Sequence, residues 1–181
     1  MSQEDRAART TRQGLVRTTR PQDPLTGMEA LPRRYLHAGE FITCGEPSMV
    51  ITILGSCVGV ALYDTRTGAG GLNHFLLPRS PATGGESSAR YGDVAMPKLL
   101  DAMLGRGSLV RDLQAKVFGG ARVLNYRDTP PHRDLGAGNF DLAFEFLESQ
   151  SIRIAGRDVG GRHGRKLVFH THLGDAWVKR L

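Results

Sequence analysis

The chain has 181 residues, of which 40% are hydrophobic and 23% are charged, values typical of a globular protein with one domain of ordinary size. No uncharged apolar run approaches the roughly 18 residues that a membrane-spanning helix needs. Arginines interrupt the N-terminal region throughout, where a secretory signal would be continuously apolar. We therefore expect a soluble, cytoplasmic protein without membrane insertion.

Half of the formal net charge of +6 lies in residues 1–34, which hold seven arginines against four acidic residues. The rest of the chain has no dense basic run with interleaved aromatic residues, so its charge does not favour nucleic-acid binding. A mildly basic surface fits an acidic protein partner equally well.

Residues 1–30 are rich in Arg, Thr, Gln and Pro and have hardly any apolar periodicity, a composition that cannot offset its own ordering entropy. We interpret residues 1–34 as a disordered basic extension. Short apolar runs separated by turn residues begin near Tyr35 and continue to the C-terminus. Residues 35–181 are therefore predicted to form one folded domain.

Seven of these runs are four to seven residues long and mostly rich in Val, Ile, Leu or Phe, which predicts strands. They are Met49–Ile53, Val58–Tyr63, Gly71–Leu77, Leu113–Phe118, Arg153–Asp158, Lys166–His170 and Ala176–Lys179.

Two segments between the strands have helical spacing instead. An apolar stripe runs from Val94 to Leu104, and Pro97 is tolerable there only in the opening turn. A second helix is predicted from Phe140 onward, with Asn139 as its N-cap. Strands clustered at both ends of the chain around helices favour a single α+β domain, with β-sandwich-like mixed sheets flanked by two to three helices.

Cys57 follows Gly55 and Ser56 and directly precedes a predicted strand, a place from which a thiol can project from a tight turn. Backbone N–H groups in such a turn are not committed to a sheet and could face a developing oxyanion. The local context alone slightly favours the alternative, a cysteine buried as a small hydrophobe.

His74 follows Cys57 by 17 positions and lies in the next predicted strand. A hairpin turning near Arg66 has arms of roughly equal length, so it predicts that the imidazole lies opposite the thiol. A histidine on an apolar strand is also commonly a core residue bonded to a backbone carbonyl, and spacing alone leaves both interpretations open.

Five motifs in order make the chain resemble one family. They are ITILGSCV at 51–58, GLNHFLLP at 71–78, YGDVAMPKLL at 91–100, KVFGGA at 116–121 and GGRHGRK at 160–166. Together they are similar to the chemoreceptor glutamine deamidase family, CheD, across roughly residues 36–181.

The resemblance implies a cysteine hydrolase that converts glutamine side chains of methyl-accepting chemotaxis receptors to glutamate, with glutamyl methyl esters as further substrates. It implies Cys57 as nucleophile, His74 as base and Thr52 as the third catalytic residue, with Ser56 as another nearby hydroxyl. It also implies a regulatory phosphatase partner, CheC, in organisms that have one. The alternative from another class is an adaptor that binds a partner without using its thiol.

This chemistry suits the residue types. A primary carboxamide is a poor electrophile, so its hydrolysis needs a strong nucleophile and a base that returns as an acid to expel ammonia. An imidazolium beside the thiol would depress the thiol pKa, and a hydroxyl such as that of Thr52 could orient the ring. Cysteine and histidine supply the reaction without a cofactor or metal, and we expect neither.

Other candidate residues have simpler interpretations. Cys44 has no histidine at a matching interval and is expected to be a bystander. His170 and His172 share one face of a predicted strand and could bind a metal together with His163, although no carboxylate or thiol stands at a ligand-like interval.

Two glycine pairs and a basic cluster complete the candidates. The pairs Gly119-Gly120 and Gly160-Gly161 lack a phosphate-loop pattern and are interpreted as turns or bulges. Arg162, Arg165 and Lys166 form a basic cluster that is either a solvated face or a contact for an acidic receptor helix, with Arg162 and Arg165 as the substrate-binding candidates.

The domain boundary is testable by limited proteolysis. Because residues 1–34 offer seven arginines, trypsin should remove them quickly and leave a resistant core beginning near Tyr35, identifiable by N-terminal sequencing or mass spectrometry. An N-terminus as resistant as the core would contradict the expected disorder.

Overall fold

The α+β architecture is built from two mixed sheets that pack face to face. The computed structural model describes residues 31–81, 88–122 and 134–181. The four-stranded sheet has the order β1-β3-β8-β9, and its strands are Arg33–Tyr35, Met49–Leu54, Arg165–His170 and Ala176–Arg180. The five-stranded sheet has the order β2-β5-β4-β6-β7, and its strands are Glu40–Cys44, Gly70–His74, Val58–Asp64, Leu113–Gly119 and Arg153–Val159.

Two helices cover the outer face of the five-stranded sheet. They are α1, Gly92–Leu104, and α2, Leu135–Ser149, and a short 3₁₀ turn at Val110–Asp112 leads into β6. No helix in the described ranges is long and apolar enough to cross a membrane. The predicted α+β domain with sandwich-like mixed sheets is thereby confirmed.

Side-chain alternation along β4 divides the core between the two layers. Val58, Val60 and Leu62 face the helices and pack against α1 and α2. Ala61 faces the other sheet and packs with residues of β3 and β8, among them Leu54. Because β4 is covered on both faces, it reads as a continuous apolar run in the sequence.

Sequence reasoning missed two strands and placed several boundaries differently. All three residues of β1 are exposed and only Cys44 of β2 is buried, so neither strand shows a long apolar run in the sequence. The predicted strand Gly71–Leu77 ends at His74 as β5, and Leu76 and Leu77 donate to the carbonyl of Arg90 instead. Of the extension predicted to be disordered, residues 1–34, the first 30 lie outside the described residues, whereas Arg33 and Arg34 belong to β1.

The predicted start of the second helix was wrong. Asp134 is the N-cap of α2, with its Oδ1 accepting from the N–H groups of Gly136 and Ala137 at 3.0 and 3.2 Å. The two glycines in the first turn disguised this start as a loop. Asn139 lies inside the helix and is fully buried.

Pro97 also differs from expectation, because it lies in the second turn of α1 and not in the opening turn. A proline there removes one helical hydrogen bond. Burial of Met96, Leu99 and Met103 against the sheet offsets that cost.

The glycine pair that was predicted to be a turn or bulge lies at the end of β6, where Gly119 is the last residue of the strand. Gly119 and Gly120 have φ values of +102° and +65°. A Cβ on Gly119 would overlap the carbonyl oxygen of Cys57, and a Cβ on Gly120 would come within 2.7 Å of the Gly136 carbonyl oxygen. Both positions therefore require glycine so that the end of β6 can approach the Cys57 loop and the start of α2.

Gly119→Ala should destabilise the protein more than Gly107→Ala. Gly107 also has a positive φ, +88°, but a Cβ at that position would meet no atom within 4 Å, so it is a matched control for backbone strain alone. The Gly119 variant should cost about 1–3 kcal/mol more in urea unfolding, because it adds the overlap with Cys57. Equal unfolding free energies would contradict the close approach.

Candidate active site

Cys57 lies where the chain crosses from one sheet to the other. The segment Gly55–Cys57 connects β3 of the four-stranded sheet to β4 of the five-stranded sheet. Its thiol is free and half-buried. The side chain packs at the margin of the cluster between the sheets, so the thiol stands at the edge of the sandwich core.

Three consecutive carbonyl groups of this loop accept hydrogen bonds from other parts of the chain. Ala121 N–H donates to Gly55 O at 2.7 Å, and Gly120 N–H donates to Cys57 O at 2.8 Å. The carbonyl between them, that of Ser56, accepts from the side chain of Asn139 at 3.0 Å. Neither the Ser56 N–H nor the Cys57 N–H donates to another residue in the part of the chain that the structure describes.

His74 lies on the neighbouring strand, as the hairpin predicts, but in a shifted register. Ala61 pairs with Leu72 and Val58 bridges to Phe75, which places His74 across from Gly59. Alternate residues of a strand share a face, so Cys57 and Gly59 point to the same side as His74. The imidazole is thus a diagonal neighbour of Cys57, since the residue directly across from His74 is two positions after Cys57. The offset arises because the hairpin turn is centred slightly beyond Arg66.

Thr52 reaches the same histidine from the opposite sheet. Its Oγ1 lies 2.9 Å from His74 Nδ1 and donates to the carbonyl oxygen of Leu36 at 2.8 Å. A hydroxyl has one proton, and a carbonyl can only accept. The Thr52 hydroxyl therefore accepts from Nδ1–H, and in the neutral ring the lone pair is on Nε2.

The free Nε2 is buried and has no hydrogen-bond partner among the described residues. Burial of the ring lowers the pKa of His74 to about 4, although the nearby Leu36 carbonyl offsets part of that effect. At neutral pH the imidazole is uncharged, and its Nε2 is a base without a proton.

Burial also raises the pKa of the Cys57 thiol, with its own backbone N–H acting in the opposite direction. The resting pair is accordingly a neutral thiol and a neutral imidazole. This differs from the sequence expectation of an imidazolium that depresses the thiol pKa, since the desolvation of both groups disfavours a preformed ion pair.

A cleft of about 400 Å³ opens beside this histidine. Thr52 and His74 lie in its wall, and Lys166 contributes a cation. Two of its lining residues, Tyr35 and Ile53, are large hydrophobic side chains that are 67% and 63% exposed. The cleft is therefore bordered by apolar surface of the kind that contacts other proteins.

The two arginine candidates have different environments. Arg162 is exposed on the turn between β7 and β8. Arg165 is buried: its Nε donates to Asp158 at 2.8 Å, and its two terminal nitrogens donate to the carbonyls of Gly160 and His163 at 2.6 and 3.3 Å. Arg165 thus holds the turn in shape, and its 4% exposure argues against a direct substrate contact.

Cys44 and the C-terminal histidines lie apart from this arrangement. Cys44 is buried in the core between the sheets. His170 uses Nδ1 to accept from the N–H groups of His172 and Leu173, both at 3.1 Å. No group of three metal-ligating side chains occurs within residues 31–81, 88–122 and 134–181.

Sequence reasoning missed the role of Asn139, which it took for a helix cap. Its amide nitrogen donates to the carbonyls of Ser56 and Leu76 at 3.0 and 2.9 Å. Ser56 directly precedes Cys57, and Leu76 follows His74 by two positions. The available signal was a polar residue on the apolar face of α2, in line with Leu142 and Ala143.

The depressed histidine pKa predicts how folding stability depends on pH. In the unfolded chain His74 takes up a proton below about pH 6.5, but in the folded protein only near pH 4. The free energy of unfolding should therefore fall by up to about 3 kcal/mol as the pH drops from 7 to 4, in addition to the changes that other titrating groups cause. His74→Gln should remove this part of the slope in urea titrations, and an unchanged slope would contradict the burial of a neutral ring.

Comparison with known proteins identifies the family of this chain. Residues 76–180 match the family model described as CheD chemotactic sensory transduction. A relative from Anaeromyxobacter dehalogenans, named probable chemoreceptor glutamine deamidase CheD 1, is 47% identical over 81% of this chain and 84% of its own length.

Two further relatives have similar names. Probable chemoreceptor glutamine deamidase CheD 2 of Geobacter sulfurreducens is 38% identical over 83% of this chain and 91% of its own. Probable chemoreceptor glutamine deamidase CheD of Rhodospirillum rubrum is 40% identical over 85% of each chain. The chain therefore belongs to the CheD family.

Proposed function

We propose that this protein is a cysteine-dependent deamidase that converts glutamine side chains of methyl-accepting chemotaxis receptors to glutamate. The observation that carries the proposal is the Thr52–His74 hydrogen bond, which leaves an unprotonated Nε2 on the face of the strand pair that also bears the Cys57 thiol. The names of the CheD relatives supply the substrate class.

In the first half of the reaction, His74 Nε2 takes the proton of the Cys57 thiol while the sulfur attacks the carboxamide carbon. The carbonyl oxygen becomes an oxyanion, which the N–H groups of Ser56 and Cys57 are suited to bind. The imidazolium then gives its proton to the departing nitrogen, and ammonia leaves. The product is a thioester between Cys57 and the substrate side chain.

In the second half, Nε2 removes a proton from water, and the hydroxide attacks the thioester carbon. Collapse of this intermediate breaks the carbon–sulfur bond, leaving glutamate and, after proton return from the imidazolium, a free thiol. A glutamyl methyl ester would follow the same path with methanol as leaving group. Thr52 keeps the proton on Nδ1 throughout, because its hydroxyl accepts from that nitrogen.

Because the resting pair is neutral, the thiolate forms only as the substrate is attacked. The exposed apolar residues beside His74, the cation of Lys166 and the exposed Arg162 suit contact with an acidic receptor helix. The reaction would take place on the cytoplasmic part of the receptor.

The nucleophile and base are tested with a purified receptor cytoplasmic domain. Wild-type protein should release ammonia and convert glutamine to glutamate in peptide mass spectra. Cys57→Ala and His74→Ala should each reduce the rate by roughly 10⁴-fold, because they remove the nucleophile and its base. Turnover by Cys57→Ala at the wild-type rate would refute the mechanism.

Thr52 is tested by a pair of near-isosteric variants. Thr52→Val retains the shape but cannot accept from Nδ1–H, so the rate should fall by about 10–100-fold. Thr52→Ser retains the hydroxyl and should stay within about threefold of wild type. Equal rates for the two variants would show that the hydroxyl does not orient the ring.

The second candidate function is an adaptor that regulates a partner, for which the phosphatase CheC is the candidate where it is present. The exposed apolar residues beside the cleft favour this as an additional role. Cys57→Ala separates the two functions, because binding of a partner should survive the loss of the thiol. Loss of binding together with turnover would argue against an independent adaptor role.

A further inference from the structure

Asn139 is a polar side chain in an apolar environment. It is 0% exposed, on the face of α2 that packs against the five-stranded sheet. Its Oδ1 is buried without a hydrogen-bond partner in the described ranges. An unsatisfied buried acceptor costs about 1–3 kcal/mol, so packing alone does not explain an asparagine at this position.

Both partners of its amide nitrogen are carbonyl oxygens, which can only accept, and this sets the orientation of the amide group. One NH₂ group thus binds the loop carrying the nucleophile, through Ser56 O, and the chain just beyond the base, through Leu76 O. Ser56 and Leu76 flank Cys57 and His74 at one and two positions, respectively.

We propose that Asn139 is a positioning residue that aims the N–H group of Cys57 at the oxyanion. The Ser56 carbonyl and the Cys57 N–H belong to one peptide group, and no peptide bond of the described residues is cis. In a trans peptide the two groups point in opposite directions. Holding the carbonyl toward α2 therefore directs the N–H group away from the helix, to the side of the thiol.

Two further observations agree with this orientation. The Cys57 side chain packs against the core between the two sheets, away from the layer that holds α2, so the thiol lies on the side to which the N–H group is directed. The preceding peptide is held in the same way, since Ala121 N–H binds the Gly55 carbonyl and so orients the Ser56 N–H group. The Asn139 side chain thus orients the Cys57 N–H group, and the Ala121 backbone orients the Ser56 N–H group.

This inference rests on the proposed deamidation, so wild-type turnover on the receptor domain is measured first. Asn139→Ala should reduce kcat by about 10²-fold, with KM changed by less than about threefold, because an oxyanion donor acts in the transition state. The matched control is Leu142→Ala, a buried residue of the same helix that packs near Gly92 of α1. It should destabilise the protein but leave kcat near wild type at temperatures where both variants are folded.

Asn139→Asp provides a readout that a purely structural role would not change. At pH 8 a carboxylate facing two carbonyls cannot donate, so kcat should be about 10²-fold low. At pH 5.5 a protonated carboxyl can donate to one carbonyl, and part of the activity should return. The wild-type rate should vary much less over this range, because neither His74 nor Cys57 titrates within it.

The rate of Cys57 alkylation by iodoacetamide separates the outcomes, since alkylation needs the thiol but no oxyanion donor. An alkylation rate within about threefold of wild type, together with the loss of kcat, is the expected result. If alkylation falls as far as kcat, the loop has moved and the orienting role is wrong. If Asn139→Asp and Asn139→Ala turn over like Leu142→Ala, the inference fails while the deamidase proposal stands; if wild type shows no turnover, the proposed function itself fails.

Discussion

The geometry of the candidate active site depends on one hydrogen bond that crosses the sandwich, from His74 Nδ1 on the five-stranded sheet to Thr52 Oγ1 on the four-stranded sheet. The Thr52 hydroxyl donates its one proton to the Leu36 carbonyl, so the direction of the bond is determined by neighbours outside the ring. Packing the two sheets thereby selects the histidine tautomer with a free Nε2. The same packing desolvates the ring and keeps it neutral.

The loop between the sheets is the second constraint. Cys57 lies on the short connection from β3 to β4, and a chain that changes sheets there must leave its N–H groups outside both ladders. The carbonyls of this loop are already bonded to other groups, and the proposed oxyanion site depends on the orientation that those bonds give to the N–H groups. The close approach of Gly119 and the buried amide of Asn139 make this possible, at the cost of conformational freedom and of one unsatisfied acceptor.

Much of the fold followed from local pattern. The strongly apolar strands and the stripe of α1 were recognisable, because burial requires a period of two or of 3.6 residues. Exposed β1 and β2 were missed, since little of their surface is buried. The start of α2 was misplaced because glycines near Asp134 hide the helical pattern, and Pro97 shows that tertiary burial can override a local helix rule.

The sequence by itself determined the family, the strand carrying each candidate residue and the hairpin that brings His74 to the face shared with Cys57. Only the tertiary structure decided the two-residue offset in register, the meeting of Thr52 with the imidazole, the burial of Arg165 and the place of Asn139. The physical reason is the distance along the chain over which each feature is encoded. Strand periodicity and turns are encoded within a few residues, whereas these contacts join side chains from different layers whose distances depend on how the sheets and helices pack.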